Sequence, residues 1–190
     1  MFEGEHATPK RSSFGRKLIS IILTLAAILL ISWGLRTFVF QAYEIPSGSM
    51  EDTIMTGDMV FSEKITYYMN DPQPGDIVTF IDPEIPSRTL IKRVIATGGQ
   101  TVNLIDGDVY VDNKKLVEPY TAGKPSYPLT TAYGTTISYP YKVPEGEIWV
   151  MGDNRTNSQD SRYFGSIPVD SVTGKAVFIY WPLNNMAPLN

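Results

Sequence analysis

The run from Leu18 to Leu35 constrains the fold of this 190-residue chain more than any other feature, because it contains no charged residue. At ~1.5 Å of rise per residue, a helix of this length spans about 27 Å, close to the hydrocarbon thickness of a bilayer. Arg36 follows the run, where a long basic side chain can reach the interface between lipid and water. We therefore predict a transmembrane anchor over residues 18–36.

The sequence leaves two other interpretations of this run open. A cleavable signal peptide ends in a small-x-small pattern, and Ser32-Trp33-Gly34 supplies one. However, the run is long for a signal peptide, and apolar residues continue beyond it. The helix of a soluble protein would have a polar face, and no polar face interrupts this run. The anchor is the interpretation that fits these observations best.

Basic residues are unevenly distributed around the run. Four of them precede it: Lys10, Arg11, Arg16 and Lys17. After Arg36, the next basic residue is Lys64. The positive-inside rule therefore predicts a cytoplasmic tail over residues 1–17 and an extracytoplasmic domain over residues 37–190. We expect a single-pass protein of the cell membrane, with the lipid bilayer as a partner.

The composition of the chain excludes several classes of function. A net charge of −4 argues against nucleic acid as a partner, because phosphate binding requires clustered Lys and Arg side chains. The chain has no cysteine, which excludes disulfides, thiolate catalysis and cysteine-based metal sites. The outer domain, at about 150 residues, is long enough to bury a core of its own.

Short β-branched and aromatic runs, separated by Gly, Pro, Asn and Asp, predict strands in the outer domain. The predicted strands are residues 76–80, 90–95, 101–104, 108–111, 147–151 and 175–181. Asp106-Gly107 predicts a hairpin, and the proline-rich segment 118–145 indicates a less regular cap. The predicted fold class is mainly β, with one N-terminal transmembrane helix followed by an all-β extracytoplasmic domain.

A serine turn follows the anchor, in the sequence Ile45-Pro46-Ser47-Gly48-Ser49-Met50. Pro46 and Gly48 supply the fixed and the permissive backbone angles that a tight turn requires. Such a turn exposes Ser49 and can direct its backbone N–H, with the Ser47 hydroxyl, at a developing oxyanion. The alternative is an ordinary Ser/Gly linker between anchor and domain.

Lys92 is the candidate base for this serine. The only histidine is His6, in the tail before the anchor, so the outer domain cannot assemble a Ser-His-Asp triad. In an alternating strand, Lys92 shares a face with Leu90 and Val94. Burial there lowers the pKa of a lysine and leaves a neutral amine that can accept a proton. The alternative is a lysine that extends from an edge strand into solvent.

A dense polar loop, residues 152–165, follows an apolar strand. The hydroxyl of Ser158 could orient a neutral lysine amine, and Asp160 could pair with Arg162, with Asp153 as a further brace. One alternative is a solvated turn. A calcium loop is disfavoured, because Arg155 stands where an oxygen ligand is needed. We predict no metal site.

Together these segments resemble the bacterial type I signal peptidases, which are membrane-anchored Ser-Lys endopeptidases. The resemblance rests on residues 46–50 with Thr53, and on residues 75–80, 91–95, 152–165 and 180–183. The motif Gly-Asp-Asn-Arg-x-Asn-Ser-x-Asp-Ser-Arg is very specific. One anchor and a short cap resemble the compact Gram-positive type. The resemblance implies a catalytic domain that removes signal peptides from exported precursors after a small-x-small motif, without a cofactor or a metal.

The resemblance also implies a role for each matching residue. Ser49 would be the nucleophile, Lys92 the general base, and Ser47 part of the oxyanion hole. The remaining roles are positioning of Lys92 by Ser158, a structural ion pair between Asp160 and Arg162 with Asp153 beside it, and shallow apolar pockets at Tyr43, Ile45 and Ile91.

The chain departs from the family pattern most clearly at Glu51-Asp52, where a proline usually precedes Thr53. These carboxylates place negative charge near the serine and would raise the pKa of the lysine. Because no catalytic group is lost, we still expect activity. A catalytically silent paralogue that binds precursor or pilin-like chains as an assembly factor is the alternative. A self-cleaving Ser-Lys repressor protease is disfavoured by the anchor.

Overall fold

The computed structural model describes residues 13–131, 134 and 136–189. The chain divides into two compact units, Met1–Phe38 and Val39–Asn190. Most of the predicted cytoplasmic tail, including His6, lies outside the described residues, as do residues 132, 133 and 135 of the predicted cap.

The first unit contains one long helix, α1, at Ser13–Phe38. The stretch Phe14–Phe38 is long and apolar enough to cross a membrane, with a mean hydropathy of 2.5 in its most apolar window and none of that window buried. The helix exceeds the predicted bounds of 18–36 at both ends. The predicted bounds were those of the uncharged run with Arg36, whereas the hydrogen bonds of the helix continue into the flanking residues on both sides.

The second unit is built from two antiparallel sheets, which confirms the all-β prediction for this part of the chain. The larger sheet has eight strands: β1 Phe40–Glu44, β2 Met59–Glu63, β3 Ile77–Ile81, β4 Thr89–Thr97, β9 Glu147–Met151, β10 Ile167–Pro168, β11 Val172–Trp181 and β12 Ala187–Pro188. Its strand order is β1-β2-β11-β3-β4-β9-β10, with β12 paired to β11. Within the described residues, this unit has one α-helix, the short α2 at Ser161–Phe164.

The smaller sheet has the order β7-β6-β5-β8. Its strands are β5 Thr101–Ile105, β6 Asp108–Val111, β7 Lys114–Lys115 and β8 Tyr141–Lys142. The predicted hairpin at Asp106-Gly107 joins β5 to β6. Both residues have positive φ, 52° and 88°, as a tight hairpin turn requires. The described part of the cap segment is mostly irregular, apart from β8 and a 3-10 turn at Pro119–Thr121.

Alternation along β4 and β9 separates the apolar side chains into distinct clusters. On one face, Val94 of β4 and Val150 of β9 pack with Phe80 of β3. On the other face, Trp149 packs with valines of the smaller sheet, including Val102. Because successive side chains of a strand point to opposite faces, the two sheets share these strands as a common wall.

A third cluster lies beneath the serine turn. It contains Ile45, Met50 and Ile54 from the turn region, Val60 of β2 and Ile179 of β11, all at most 3% exposed. Strand β11 begins at Val172, three residues before the predicted start. Gly174 lies inside the strand at a register shift, where a Cβ would stand 2.6 Å from the Glu63 carbonyl oxygen.

Candidate active site

Ser49 and Lys92 are in direct contact. Ser49 lies in a 3-10 turn, Gly48–Met50, that follows β1, and Lys92 lies in β4. The Lys92 Nζ donates a hydrogen bond of 2.7 Å to the Ser49 Oγ and another of 3.0 Å to the Ile91 carbonyl. Buried Met50 fixes the end of the turn in the apolar cluster beneath it. The structure therefore brings together the two residues predicted as nucleophile and base.

The environment of Lys92 favours the neutral amine. Its side chain is 3% exposed, on the strand face that it shares with Leu90 and Val94. Burial is the main cause that lowers the pKa of Lys92, to about 8; the carboxylates of Asp160, Asp153 and Asp82 oppose the shift, and the cation of Arg88 adds to it. Removal of water penalises an ammonium ion more than nearby carboxylates stabilise it. A substantial fraction of the amine is therefore unprotonated at mildly alkaline pH.

The polar loop 152–165 holds the serine turn in place. The backbone N–H of Asn154 donates to the Ser49 carbonyl at 3.1 Å, and the Asn154 Nδ2 donates to the Gly48 carbonyl at 2.8 Å. At Gly152, a Cβ would stand 2.4 Å from the Ser49 carbonyl oxygen. Sequence analysis included both residues in the matching motif but assigned no role to either. The sequence signal that could have indicated this role is the presence of Gly152 and Asn154 two positions apart in a loop that is otherwise rich in charged residues.

Asp153 forms a brace, and its partner is Arg93, which sequence analysis did not assign. The Arg93 Nε and Nη2 donate to the two carboxylate oxygens at 2.9 and 2.8 Å, and the Thr53 Oγ1 donates to one of them at 2.5 Å. The pair is almost fully buried. Because Arg93 follows Lys92 in β4, its side chain leaves the opposite face of the strand. One face of β4 thus carries the amine, and the other fastens the loop.

The expected ion pair between Asp160 and Arg162 is present. The Arg162 Nε and Nη2 donate to the carboxylate, both at 2.9 Å, and the pair is buried. Asp160 also accepts the backbone N–H of Gly152 at 3.0 Å. The Asp160 carboxylate therefore binds the loop to Gly152, which packs against the serine turn.

Arg155 connects this loop to the cap segment. Its Nη1 and Nη2 donate to the Glu118 carboxylate at 2.9 and 2.6 Å, and its Nη1 also donates to the Ser126 hydroxyl at 2.6 Å. The ring of Tyr120 lies 4.1 Å from the Arg93 guanidinium. The charge of the buried Arg155 guanidinium is therefore balanced by a carboxylate of the cap.

Ser158 does not make the hydrogen bond that the resemblance implies. Its Oγ is buried and has no hydrogen-bond partner, while the Lys92 Nζ bonds to Ser49 and Ile91. The hydroxyl lies against Gly152, where a Cβ would stand 2.3 Å from it. Ser158 lines the same cleft as Lys92, and its role in positioning the amine stays a prediction.

A cleft of about 590 Å³ gives access to the dyad of Ser49 and Lys92. The predicted oxyanion residue, exposed Ser47, lies on its wall. Other residues of the wall come from the loop before β4, from the cap and from the polar loop: Asp82, Glu84, Arg88, Leu129, Thr130, Thr156, Asn157, Ser158, Gln159, Tyr163 and Phe164. Among the described residues, no group of three or more His, Asp or Glu is arranged to hold a metal.

The predicted substrate pocket residues are not among the described residues that line this cleft. Ile45 is 3% exposed, and half-buried Ile91 packs against the same apolar cluster. Tyr43 is half-buried in β1, opposite Val60 of β2. Contact of these three side chains with a substrate stays a prediction.

Comparisons with known proteins place the chain in a family. The family described as signal peptidase, peptidase S26, matches residues 18–181. The chain is 39% identical to the probable signal peptidase I-2 of Synechocystis sp., over 84% of this chain and 72% of that protein. It is 37% identical to the signal peptidase I of Leptolyngbya laminosa over 90% of this chain and 84% of that protein, and 36% identical to signal peptidase I T of Bacillus subtilis over 88% and 85%. The chain belongs to the signal peptidase family, peptidase S26.

Proposed function

We propose that this membrane-anchored signal peptidase removes signal peptides from exported precursors with Ser49 as nucleophile and Lys92 as general base. The observation that carries the assignment is the 2.7 Å hydrogen bond from the Lys92 Nζ to the Ser49 Oγ. Burial of the amine supports it, because only a neutral lysine can accept the serine proton. The contact joins a nucleophile to a base without a histidine.

The reaction proceeds by acyl transfer. The Ser49 Oγ attacks the scissile carbonyl carbon while the neutral Lys92 amine accepts its proton. The tetrahedral intermediate then collapses, the C–N bond breaks, and the Lys92 ammonium gives its proton to the departing amine. Water then attacks the ester carbonyl carbon while the Lys92 amine accepts its proton. The C–O bond to Ser49 breaks, and the Lys92 ammonium gives that proton to the departing Ser49 Oγ, which releases the carboxyl product and restores the neutral amine and the hydroxyl.

The backbone N–H of Ser49 and the Ser47 hydroxyl are the proposed donors to the oxyanion. Ser49 lies at the start of a short 3-10 helix, where backbone N–H groups lack partners within the helix. Ser47 lies on the wall of the same cleft. An oxyanion donor of this kind contributes roughly 3 to 4 kcal/mol to transition-state stabilisation.

Ser158 is the proposed positioning residue for Lys92 during turnover. Its hydroxyl is buried in the site without a partner, and an unsatisfied buried hydroxyl gains a hydrogen bond if the amine shifts towards it. Such a shift occurs naturally once the Ser49 Oγ is acylated and can no longer be paired to the amine in the same way. The buried pairs of Asp153 and Asp160 hold the surrounding loop rigid.

The substrate would add as an extended segment to the free edge of β4. Strand β9 pairs with β4 only from Arg93 onward, and no other described strand pairs with that edge at Thr89–Lys92. The backbone N–H and carbonyl of Val94 form hydrogen bonds to Asp76 and Gly75, on the β3 side of β4. Because the backbone groups of successive residues in a strand point to alternate sides, those of Ile91 and Thr89 point to the free edge. Main-chain hydrogen bonds there would give affinity for any extended sequence.

Selection of a small-x-small sequence would come from shallow pockets at Tyr43, Ile45 and Ile91. The support is that Ile45 and Ile91 pack in the apolar cluster that also contains Met50 of the serine turn, so their apolar side chains lie close to the turn that carries the nucleophile. Replacement of Ile91 by alanine should enlarge the pocket and broaden cleavage towards larger side chains at the cleavage site.

The orientation that we propose places the N-terminus in the cytoplasm and residues 39–190 on the extracytoplasmic face. The support is the cluster of basic residues before the apolar run. Because precursors are held in the same bilayer, an anchored enzyme meets them at high effective concentration. Protease added outside spheroplasts should digest the outer domain and leave an N-terminal tag intact.

The assay of the dyad uses the detergent-solubilised full chain and a precursor with a small-x-small cleavage site. Ser49→Ala and Lys92→Ala should each abolish cleavage. Ser171→Ala and Lys114→Ala, which remove a serine and an exposed lysine outside the cleft, should cleave like the wild type. If the wild type does not cleave the precursor, while the wild type and every variant still bind it, an assembly factor without catalytic activity would instead be favoured.

A further inference from the structure

The loop between β3 and β4 is built around the buried carboxylate of Asp82. This side chain is 1% exposed and accepts the backbone N–H groups of Glu84 and Ile85 at 2.8 and 3.2 Å. The Arg88 Nε donates to its Oδ2 at 2.5 Å, and the Arg88 Nη2 forms an ion pair with the same oxygen. The backbone N–H of Asp82 also donates to the Arg88 carbonyl at 3.0 Å. Arg88 is therefore bound to this carboxylate through both its side chain and its backbone.

This ion pair lies on the wall of the catalytic cleft. Asp82, Arg88 and exposed Glu84 line the same cleft as Ser49 and Lys92. The Arg88 side chain is 45% exposed, so one edge of the guanidinium meets the carboxylate while the rest remains accessible from the cleft. Sequence analysis gave this loop no role, because none of its residues belongs to the matching motifs.

Three carboxylate–guanidinium pairs surround Lys92. Asp153 and Asp160, in the polar loop, are neutralised by buried arginines. Asp82 is neutralised by Arg88, and both residues line the cleft before β4. The carboxylates raise the pKa of Lys92 and Arg88 lowers it. Of the three pairs, only the third has its guanidinium open to the cleft, where its removal need not collapse the core.

We propose that Arg88 is a positioning residue for the hydrolytic reaction: it neutralises Asp82 and adds positive charge to the cleft, which keeps Lys92 available as a neutral base. This inference rests on the proposed role of Lys92 and deepens it, since it names a cation that acts with burial against the three carboxylates near the amine. Without Arg88, the buried Asp82 carboxylate would stabilise the Lys92 ammonium. Asp82 and Arg88 thus act as a unit: the Arg88 cation is needed because it offsets the effect of the Asp82 carboxylate on the pKa of Lys92.

The test is the dependence of kcat/KM on pH, measured with the detergent-solubilised full chain and a small-x-small precursor. Arg88→Gln should move the acid limb to higher pH, which lowers kcat/KM about threefold at about pH 7, and the loss should disappear near pH 10. Arg88→Lys keeps the charge and should restore most of the rate. Asp82→Asn combined with Arg88→Gln removes both charges and should return the limb towards that of the wild type.

A control variant, Lys115→Gln, removes the cation of the exposed pair Lys115–Asp108 outside the cleft and should leave the profile unchanged. A loss of kcat/KM in Arg88→Gln that is equal at every pH, or an acid limb that does not move, would overturn the inference. Either result leaves the Ser49–Lys92 assignment intact, as long as the wild type cleaves and Lys92→Ala does not. Absence of cleavage by the wild type would contradict the proposed function itself.

Discussion

Asn154 and Gly48 are 106 positions apart in the chain, and the Asn154 Nδ2 donates a 2.8 Å hydrogen bond to the Gly48 carbonyl. With the bond from the Asn154 backbone N–H to the Ser49 carbonyl, one residue holds two successive carbonyls of the serine turn. Asn154 is 7% exposed, so water does not readily replace these bonds. The position of the nucleophile is therefore fixed from the polar loop and not by the turn alone.

Asn154→Ala should lower kcat/KM at least about tenfold, because a small displacement of Ser49 misaligns it with the base. The loss of the buried hydrogen bond should cost about 1 to 2 kcal/mol in the free energy of unfolding. Precursor cleavage and thermal unfolding measure the two effects. Asn70→Ala, which removes an exposed bond of the same kind to the Thr66 carbonyl, is the matched control. Wild-type kcat/KM in Asn154→Ala would contradict this account.

Gly152→Ala should abolish cleavage. Its Cβ would stand 2.4 Å from the Ser49 carbonyl oxygen and 2.3 Å from the Ser158 Oγ, distances that force one segment to move. Ser158→Gly in the same chain relieves only the second contact and should not restore activity, because the backbone carbonyl of Ser49 remains. Gly34→Ala, where nothing lies within 4 Å of the new methyl group, should cleave normally. Recovery of cleavage in the double variant would show that the Ser158 contact alone is responsible.

Sequence patterns predicted the elements whose signals are local. Alternation in β9 and the Asp-Gly turn between β5 and β6 gave the correct elements, because both depend on neighbouring residues. The burial of Lys92 beside Leu90 and Val94 follows from the same alternation. By contrast, Gly174 marks a register shift that depends on a carbonyl of β2, a contact that no local pattern contains.

The contacts that connect distant segments could not be predicted in the same way. Arg93 and Arg155 were visible as charges, but their partners, Asp153 and Glu118, are determined by how the loop and the cap fold onto the sheet. Ser158 shows the limit of the resemblance, which supplies a role for a residue but not its hydrogen bond in the free enzyme. Pairing depends on tertiary structure, whereas residue type and spacing are local.

Arg155→Ala should destabilise the outer domain by about 3 to 5 kcal/mol, because the half-buried Glu118 carboxylate and the Ser126 hydroxyl lose their partner. The unfolding temperature, followed by tryptophan fluorescence, measures the loss. Lys115→Ala removes an exposed ion pair and should cost less than about 1 kcal/mol. Glu118→Gln with Arg155→Met, which removes both charges, should recover part of the stability. Equal losses in Arg155→Ala and Lys115→Ala would contradict a structural role for this arginine.

The kcat/KM of the wild type should rise with pH and become constant above about pH 8. Burial lowers the pKa of Lys92 to about 8, and only the neutral amine accepts the serine proton. Below that pKa, each unit of pH should change kcat/KM about tenfold. A precursor without titratable groups near its cleavage site keeps the profile free of substrate ionisation. An acid limb centred near pH 6 would assign the base to another group.

Lys92→Met should stabilise the folded protein while it abolishes cleavage. The pKa of Lys92 is about 8 in the folded chain against 10.5 for the free side chain, so folding must oppose protonation of this amine. At pH values below the folded pKa of about 8, this cost in the free energy of unfolding is about 3 kcal/mol. The cost decreases as pH rises from about 8 to 10.5, because in that range only the unfolded state still binds the proton.

Methionine carries no charge at any pH, but it also removes the hydrogen bond to Ser49, worth about 1 kcal/mol. The variant should therefore be more stable than the wild type by about 2 kcal/mol near pH 7, and slightly less stable near pH 11. Unfolding temperatures at the two pH values measure this reversal. Lys114→Met, at an exposed lysine, should show no such dependence on pH. An equal difference at both pH values would mean that Lys92 is not held with a lowered pKa in the folded protein.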